Sequence, residues 1–287
     1  MSYQQYRPNR FSSLPVVIKN LLIINGLFFL AAAVLKSQKT IDLSDYLGLH
    51  YFTSDLFKPY QFVTYMFMHA DLDSGGIFHI GFNMLALFMF GNVLENLWGP
   101  KRFLTFYMIT GIGAALVYLG YQAFEYHQIQ VAIQQFQQNA TPEGYLAIVK
   151  DHFSELYDIP QNTPVFDNFV SEWMKHPDSP GFLTHASQDF DQLLKFKSNT
   201  PMVGASGAIF GILIAFGMLF PNTELMLMFI PIPIKAKYAV VLYAVAELFF
   251  GVARFSGDNI AHFAHLGGAL FGFILVKYWQ RKSNRFY

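Results

Sequence analysis

Three small groups of residues carry side chains that could do chemistry together. The first is Gly204-Ala-Ser206-Gly207, a hydroxyl set among residues with almost no side chain at the head of an apolar stretch. A hydroxyl is a weak nucleophile and needs an adjacent base, and small neighbours let another backbone approach it. The second is His265, inside Ala-His-Phe-Ala-His-Leu-Gly-Gly-Ala-Leu-Phe-Gly. Gly268 and Gly272 follow it on its own helical face, and Gly207 and Gly211 form a matching groove on the serine's helix. Two such faces can bring Ser206 Oγ within about 3 Å of an imidazole nitrogen. His262 competes for the role, but the spacing of the glycines favours His265. The third group is His79-Ile-Gly-Phe-Asn83, whose polar ends share one helical face. Neither suits a nucleophile, and both can donate hydrogen bonds to a developing oxyanion. Each group alone also has a plainer reading as helix packing or interhelical hydrogen bonding.

The elements that must position these groups are apolar. Apolar residues make up 53% of the 287 and charged residues only 13%, against about 25% charged in a soluble domain. An all-α, multi-pass membrane protein follows. A formal net charge of zero gives no basic field for nucleic acid. The absence of cysteine excludes disulfides and thiol catalysis. There is no His-Glu-x-x-His for zinc, because Ile80 follows His79.

Six spans are expected, at 16–35, 79–97, 103–121, 203–220, 238–254 and 260–279, each near the ~20 residues a bilayer needs. The first run exceeds a usual signal-peptide core and is read as a span. With the N-terminus inside, the inner segments hold Arg7, Arg10, Lys19, Lys101, Arg102, Lys235, Lys237, Lys277, Arg281, Lys282 and Arg285, with only Glu95 and Glu224 as acids. That bias puts both termini in the cytoplasm. The expected division is an inner segment 1–15, a six-helix domain 16–280 interrupted by an insert at 122–200, and a tail 281–287.

Two outer segments are long. Residues 37–78 include Pro59 to Met68, which reads as an interfacial element in the headgroup layer. Residues 122–200 form an acidic extramembrane insert. Apolar positions such as Val131, Leu146, Ile148 and Phe153 predict helices with one buried face there.

Taken in this order across six spans, the three groups resemble the rhomboid family of intramembrane serine proteases. The resemblance covers roughly residues 16–121 and 200–280, with further matches at Phe67-Met-His69-Ala and Glu95-Asn-Leu-Trp-Gly99. It implies a six-transmembrane-helix rhomboid bundle carrying a partly helical extramembrane insert between helices 3 and 4. Ser206 becomes the nucleophile and His265 the general base and acid. His79, Asn83 and the Ser206 backbone N–H become the oxyanion donors. Gly204, Gly207, Gly268 and Gly272 support the site, Phe210 stacks on the imidazole, and Phe82 is a gate-side aromatic. Where members often carry Trp-Arg in the first outer loop, Tyr60-Gln61 stands here.

No acid is expected to complete a triad. Asp258 lies seven residues before His265, about 10 Å along a helix, and Glu247 reads as a structural residue, so a dyad is expected. The reading is an intramembrane endopeptidase that acts on transmembrane-protein substrates among membrane lipids, without cofactor, metal or nucleic acid. No oligomeric state follows. A bacterial plasma membrane is the simplest home. The competing class is a non-catalytic rhomboid-like binder of membrane clients.

Overall fold

A computed structural model describes residues 14–227, 230–253 and 261–282. The chain runs through α1 (Val16–Ser37), α2 (Leu43–Leu47), α3 (Gln61–Thr64), α4 (Gly76–Ala86), α5 (Asn92–Trp98) and α6 (Pro100–Gln138). Then follow α7 (Pro142–His152), α8 (Ser154–Tyr157), α9 (Thr163–Lys175), α10 (Gly181–Asn199) and α11 (Ser206–Leu219). A hairpin of β1 (Glu224–Leu227) and β2 (Ile230–Lys235) leads into α12 (Ala236–Ala253) and α13 (His262–Lys282).

Among the described residues, four helices are long and apolar enough to cross a membrane: α1, the rod Gly76–Trp98, α6 and α12. A π turn at Leu87–Gly91 joins α4 to α5 within that rod. Serine helix α11 has only 14 residues, about 21 Å of rise. It starts late because the chain from Pro201 to Gly204 stays extended and bridges Leu49 through Met202. Histidine helix α13 spans 21 residues and begins with two imidazoles. Helices α11 and α13 fall where the fourth and sixth spans are expected, but neither is among those four.

Small residues set the core. A Cβ on Gly268 would sit 1.8 Å from the carbonyl oxygen of Gly207, and one on Gly272 would sit 2.8 Å from Gly211 Cα. A Cβ on Gly211 would meet Thr110, and one on Gly267 would meet Val117 and the Ala114 backbone. Helices α6, α11 and α13 thus touch backbone to backbone, and dispersion across that close contact replaces the hydrophobic effect that lipid cannot supply.

One end of the bundle is closed by polar and aromatic contacts. Glu95 is buried, and its oxygens accept the N–H groups of Val17 (2.9 Å) and Ile18 (2.8 Å) at the head of α1. Free N–H groups at a helix start favour a carboxylate there. Trp98 packs against Trp279 at 5.3 Å, and Arg102 lies 4.1 Å over the Trp279 ring. The hairpin, which pairs Glu224 with Lys235, is a small β element that the apolar pattern does not announce.

The outer segments are packed more closely than their sequence announces. Within Pro59–Met68, Gln61, Tyr65, Met66 and Met68 are buried against the bundle while Tyr60 stays exposed. Tyr65 donates to the Gly111 carbonyl at 2.8 Å, and Met66 fills the space where Gly111 has no side chain. Gln61 pins this loop by donating to the carbonyls of Tyr46 (3.2 Å) and Leu56 (2.9 Å) and accepting from His50 (3.3 Å) and Lys58 (3.2 Å).

The insert is helical throughout most of its length and has its own core. Its expected start at 122 falls inside α6, which continues unbroken to Gln138. Phe136, Tyr145, Phe153, Trp173 and Phe190 are buried together, with Trp173 stacked on Phe182 at 5.8 Å. Tyr126 donates to the Leu194 carbonyl at 3.1 Å and stacks on Tyr51 at 4.3 Å, which ties the insert to the first outer loop.

Candidate active site

Gly204 prepares the turn into α11. Its φ of +134° lies where side chains are strained, and its N–H donates to the Tyr65 carbonyl at 3.0 Å. A Cβ there would sit 3.2 Å from His79 Nε2 and 3.4 Å from Ser206 Oγ. The glycine therefore keeps open a point that the imidazole and the hydroxyl both flank. Ser206 is the first residue of α11, so its N–H is one of the helix-start donors without an intrahelical acceptor.

Across the glycine contact, Ser206 Oγ lies 2.7 Å from His265 Nε2. The groove that Gly207 and Gly211 present to Gly268 and Gly272 makes this possible. Phe210, one turn after Ser206, stacks on the His265 ring at 4.3 Å with planes 6° apart. His265 is held between that ring and α12.

His79 and Asn83 lie on one face of α4. The Ala70 N–H donates to His79 Nδ1 at 3.2 Å. A neutral imidazole that accepts at Nδ1 carries its proton on Nε2, the nitrogen that faces Gly204 and Ser206. Asn83 is buried, and its Nδ2 donates to the His79 carbonyl at 2.9 Å, which leaves one amide hydrogen. His69 is buried edge-on against His79 at 5.2 Å. Phe82 is 46% exposed and stacks on Phe78 at 6.4 Å, on the outward side of α4.

The dyad expectation needs correction in its geometry. Glu247 Oε2 lies 2.9 Å from His265 Nδ1, on the ring edge opposite the serine. The same oxygen lies 2.6 Å from His262 Nδ1. Helix α12 turns this acid inward while Tyr238, Val241, Leu242, Val245, Leu248 and Phe249 face outward. A carboxylate in an apolar span was a signal in itself, but its direction around α12 was not legible. Asp258, the other acid considered, lies outside the described residues.

The arrangement sets a hydroxyl against an imidazole nitrogen, with a second imidazole beside the same glycine. Those are the parts of nucleophilic acyl transfer. Comparison with known proteins identifies the family. The Rhomboid domain family matches residues 57–131 and 182–282, so the break in the match falls on the bulk of the insert. An uncharacterized mitochondrial rhomboid protein of Schizosaccharomyces pombe is 24% identical, covering 96% of this chain and 69% of its own length. The mitochondrial rhomboid protein 1 of Saccharomyces cerevisiae is 26% identical, over 72% of this chain and 39% of the relative. The mitochondrial RHOMBOID-like protein 12 of Arabidopsis thaliana is 24% identical, over 94% of this chain and 60% of the relative. All three names are mitochondrial, so they lend no support to the expected bacterial plasma membrane. Apolar helices of membrane-crossing length and a family match over more than half of the sequence lead to one conclusion: the chain belongs to the rhomboid family.

Proposed function

We propose that this chain is an intramembrane serine endopeptidase that hydrolyses peptide bonds in or near transmembrane helices of membrane-protein substrates. The observation that carries the reading is the 2.7 Å contact between Ser206 Oγ and His265 Nε2. In the proposed reaction His265 Nε2 takes the hydroxyl proton as Oγ attacks the scissile carbonyl. The carbonyl oxygen gains negative charge and turns toward the Ser206 N–H, His79 Nε2–H and the remaining Asn83 amide hydrogen. Each such donor acts only as charge develops. His265 then gives its proton to the leaving amine. Water, deprotonated by the same nitrogen, releases the acyl group from Ser206.

A substrate helix hides its carbonyls in its own hydrogen bonds, so helix-weakening residues near the cut favour cleavage. Phe82 and Phe78, exposed on the rim of α4, are suited to meet such a segment. The domain reading is a six-helix body interrupted by the insert, with membrane lipids around it and both termini on the side rich in Lys and Arg. The relatives' names suggest a mitochondrial membrane, which organelle fractionation tests.

The activity test uses the full chain in detergent with a single-span reporter peptide and a fluorophosphonate probe. Wild type is expected to cut and to label, and Ser206→Ala and His265→Ala to do neither. Cleavage by Ser206→Ala would overturn the assignment of the nucleophile. A wild type that binds the reporter but neither labels nor cuts it would make the chain a client binder instead.

A further inference from the structure

We infer that Glu247 is a positioning residue for the reaction: it fixes the protonation pattern and orientation of His265, with His262 holding the carboxylate in place. The inference rests on the hydrolase reading of the Ser206–His265 pair and adds a third member to it. Glu247 Oε2 is 2.9 Å from His265 Nδ1, and Ser206 Oγ is 2.7 Å from the opposite nitrogen.

An ionised carboxylate only accepts hydrogen bonds. His265 Nδ1 must then carry the ring proton, and Nε2 of the neutral ring keeps its lone pair toward the serine. That is the form a general base requires. When Nε2 takes the hydroxyl proton, the ring becomes a cation inside an apolar bundle, where an isolated charge is expensive. The carboxylate beside Nδ1 offsets it without moving.

Two imidazoles hold Glu247, and a phenyl ring holds His265. His262 sits at i−3 from His265, on the same face of α13, and its Nδ1 is 2.6 Å from the same oxygen. The glutamate reaches across from α12, so the contact also joins that outward-lying helix to the site. Phe210 closes one face of the His265 ring. Only rotation about the ring normal would remain, and the two edge contacts stop it. Orienting partners of this kind typically change activity by about 10- to 100-fold, or more where the wrong ring nitrogen becomes protonated.

The test compares wild type, E247Q and Ser206→Ala as full-length chains in detergent. E247Q is isosteric but can donate to Nδ1 and so favours a proton on Nε2. It is expected to keep its melting temperature and its KM, while kcat and the fluorophosphonate labelling rate fall by about 10²-fold or more. Unchanged kcat and labelling in E247Q overturn the inference, as does a rise in KM at unchanged kcat. An inert Ser206→Ala beside a fully active E247Q overturns only the role of the carboxylate. Cleavage by Ser206→Ala overturns the assignment of Ser206 as the nucleophile, on which the inference rests. Should E247Q fail to fold, the unaltered chain decides the matter. Ring 15N signals of labelled histidines, with His265 assigned by its loss in His265→Ala, are expected to show a neutral His265 protonated at Nδ1. A ring protonated at Nε2 overturns the inference.

Discussion

Gly268 has no Cβ where one would lie 1.8 Å from the carbonyl oxygen of Gly207. The hydroxyl–imidazole contact sits just above that meeting of backbones, so its distance depends on two glycines that touch no substrate. Gly268→Ala must push α11 and α13 apart. A displacement of about 1 Å typically lowers rate by about 10²-fold. Fluorophosphonate labelling of Gly268→Ala is expected to fall by at least that much. Labelling at the wild-type rate would mean that the helices can part without moving Ser206 from His265.

His79 and Asn83 should not contribute equally. His79→Ala removes a ring whose Nε2 faces the serine, and kcat is expected to fall by about 10²–10³. Asn83 already commits one amide hydrogen to the His79 carbonyl, so Asn83→Ala is expected to cost less. Steady-state cleavage of the reporter peptide checks the order, and a larger loss in Asn83→Ala would reverse the assignment.

Glu95 is far from the chemistry and should act through stability. Replacing it with Ala leaves the N–H groups of Val17 and Ile18 without their acceptor. Hydrogen bonds to a charged group contribute about 1.5–3 kcal/mol each. Thermal unfolding of Glu95→Ala in detergent is expected several degrees below wild type. Its labelling rate at low temperature should be preserved.

His50 gives the first outer loop a pH dependence. It is fully buried, and its Nδ1 donates to the Gly48 carbonyl at 3.1 Å. Burial pulls its pKa below the ordinary imidazole value, while the bonds from Gln61 and Gly48 act weakly in the other direction. A depressed pKa means that the folded loop binds fewer protons than the unfolded one. The stability of the loop is therefore complete above about pH 6.5 and declines as pH falls below that value. Hydrogen exchange over residues 48–62 is expected to speed up at pH 5.5 relative to pH 7.5, beyond the intrinsic change, and His50→Gln should remove the difference.

The insert should come apart by itself. Trp173 is buried among Phe136, Phe169 and Phe182, and Trp→Ala in such a core costs about 3–5 kcal/mol. Trp173→Ala is expected to expose residues 140–199 to proteolytic nicking. Ser206 labelling should continue, because the Ser206–His265 contact draws on other helices.

Much of this protein was legible in local chemistry. The apolar runs at 16–35 and 79–97 fall within helices of membrane-crossing length, because span length and apolarity are local properties. Gly207, Gly211, Gly268 and Gly272 announced a close contact, because the absence of a side chain is a property of the residue itself. The glycines around Ser206 and His265 made their pairing legible, and the two meet at 2.7 Å. Tertiary structure alone decided which way Glu247 points. Helix α12 is apolar nearly all round, so its sequence carries no strong periodicity to fix its rotation, and only packing against α13 turned the acid toward His265. It also decided that Gln61 anchors the first outer loop and that residues 122–200 close around a core of their own. Both depend on groups far apart in the chain, and periodicity reports which face of an element is apolar without reporting what that face will meet.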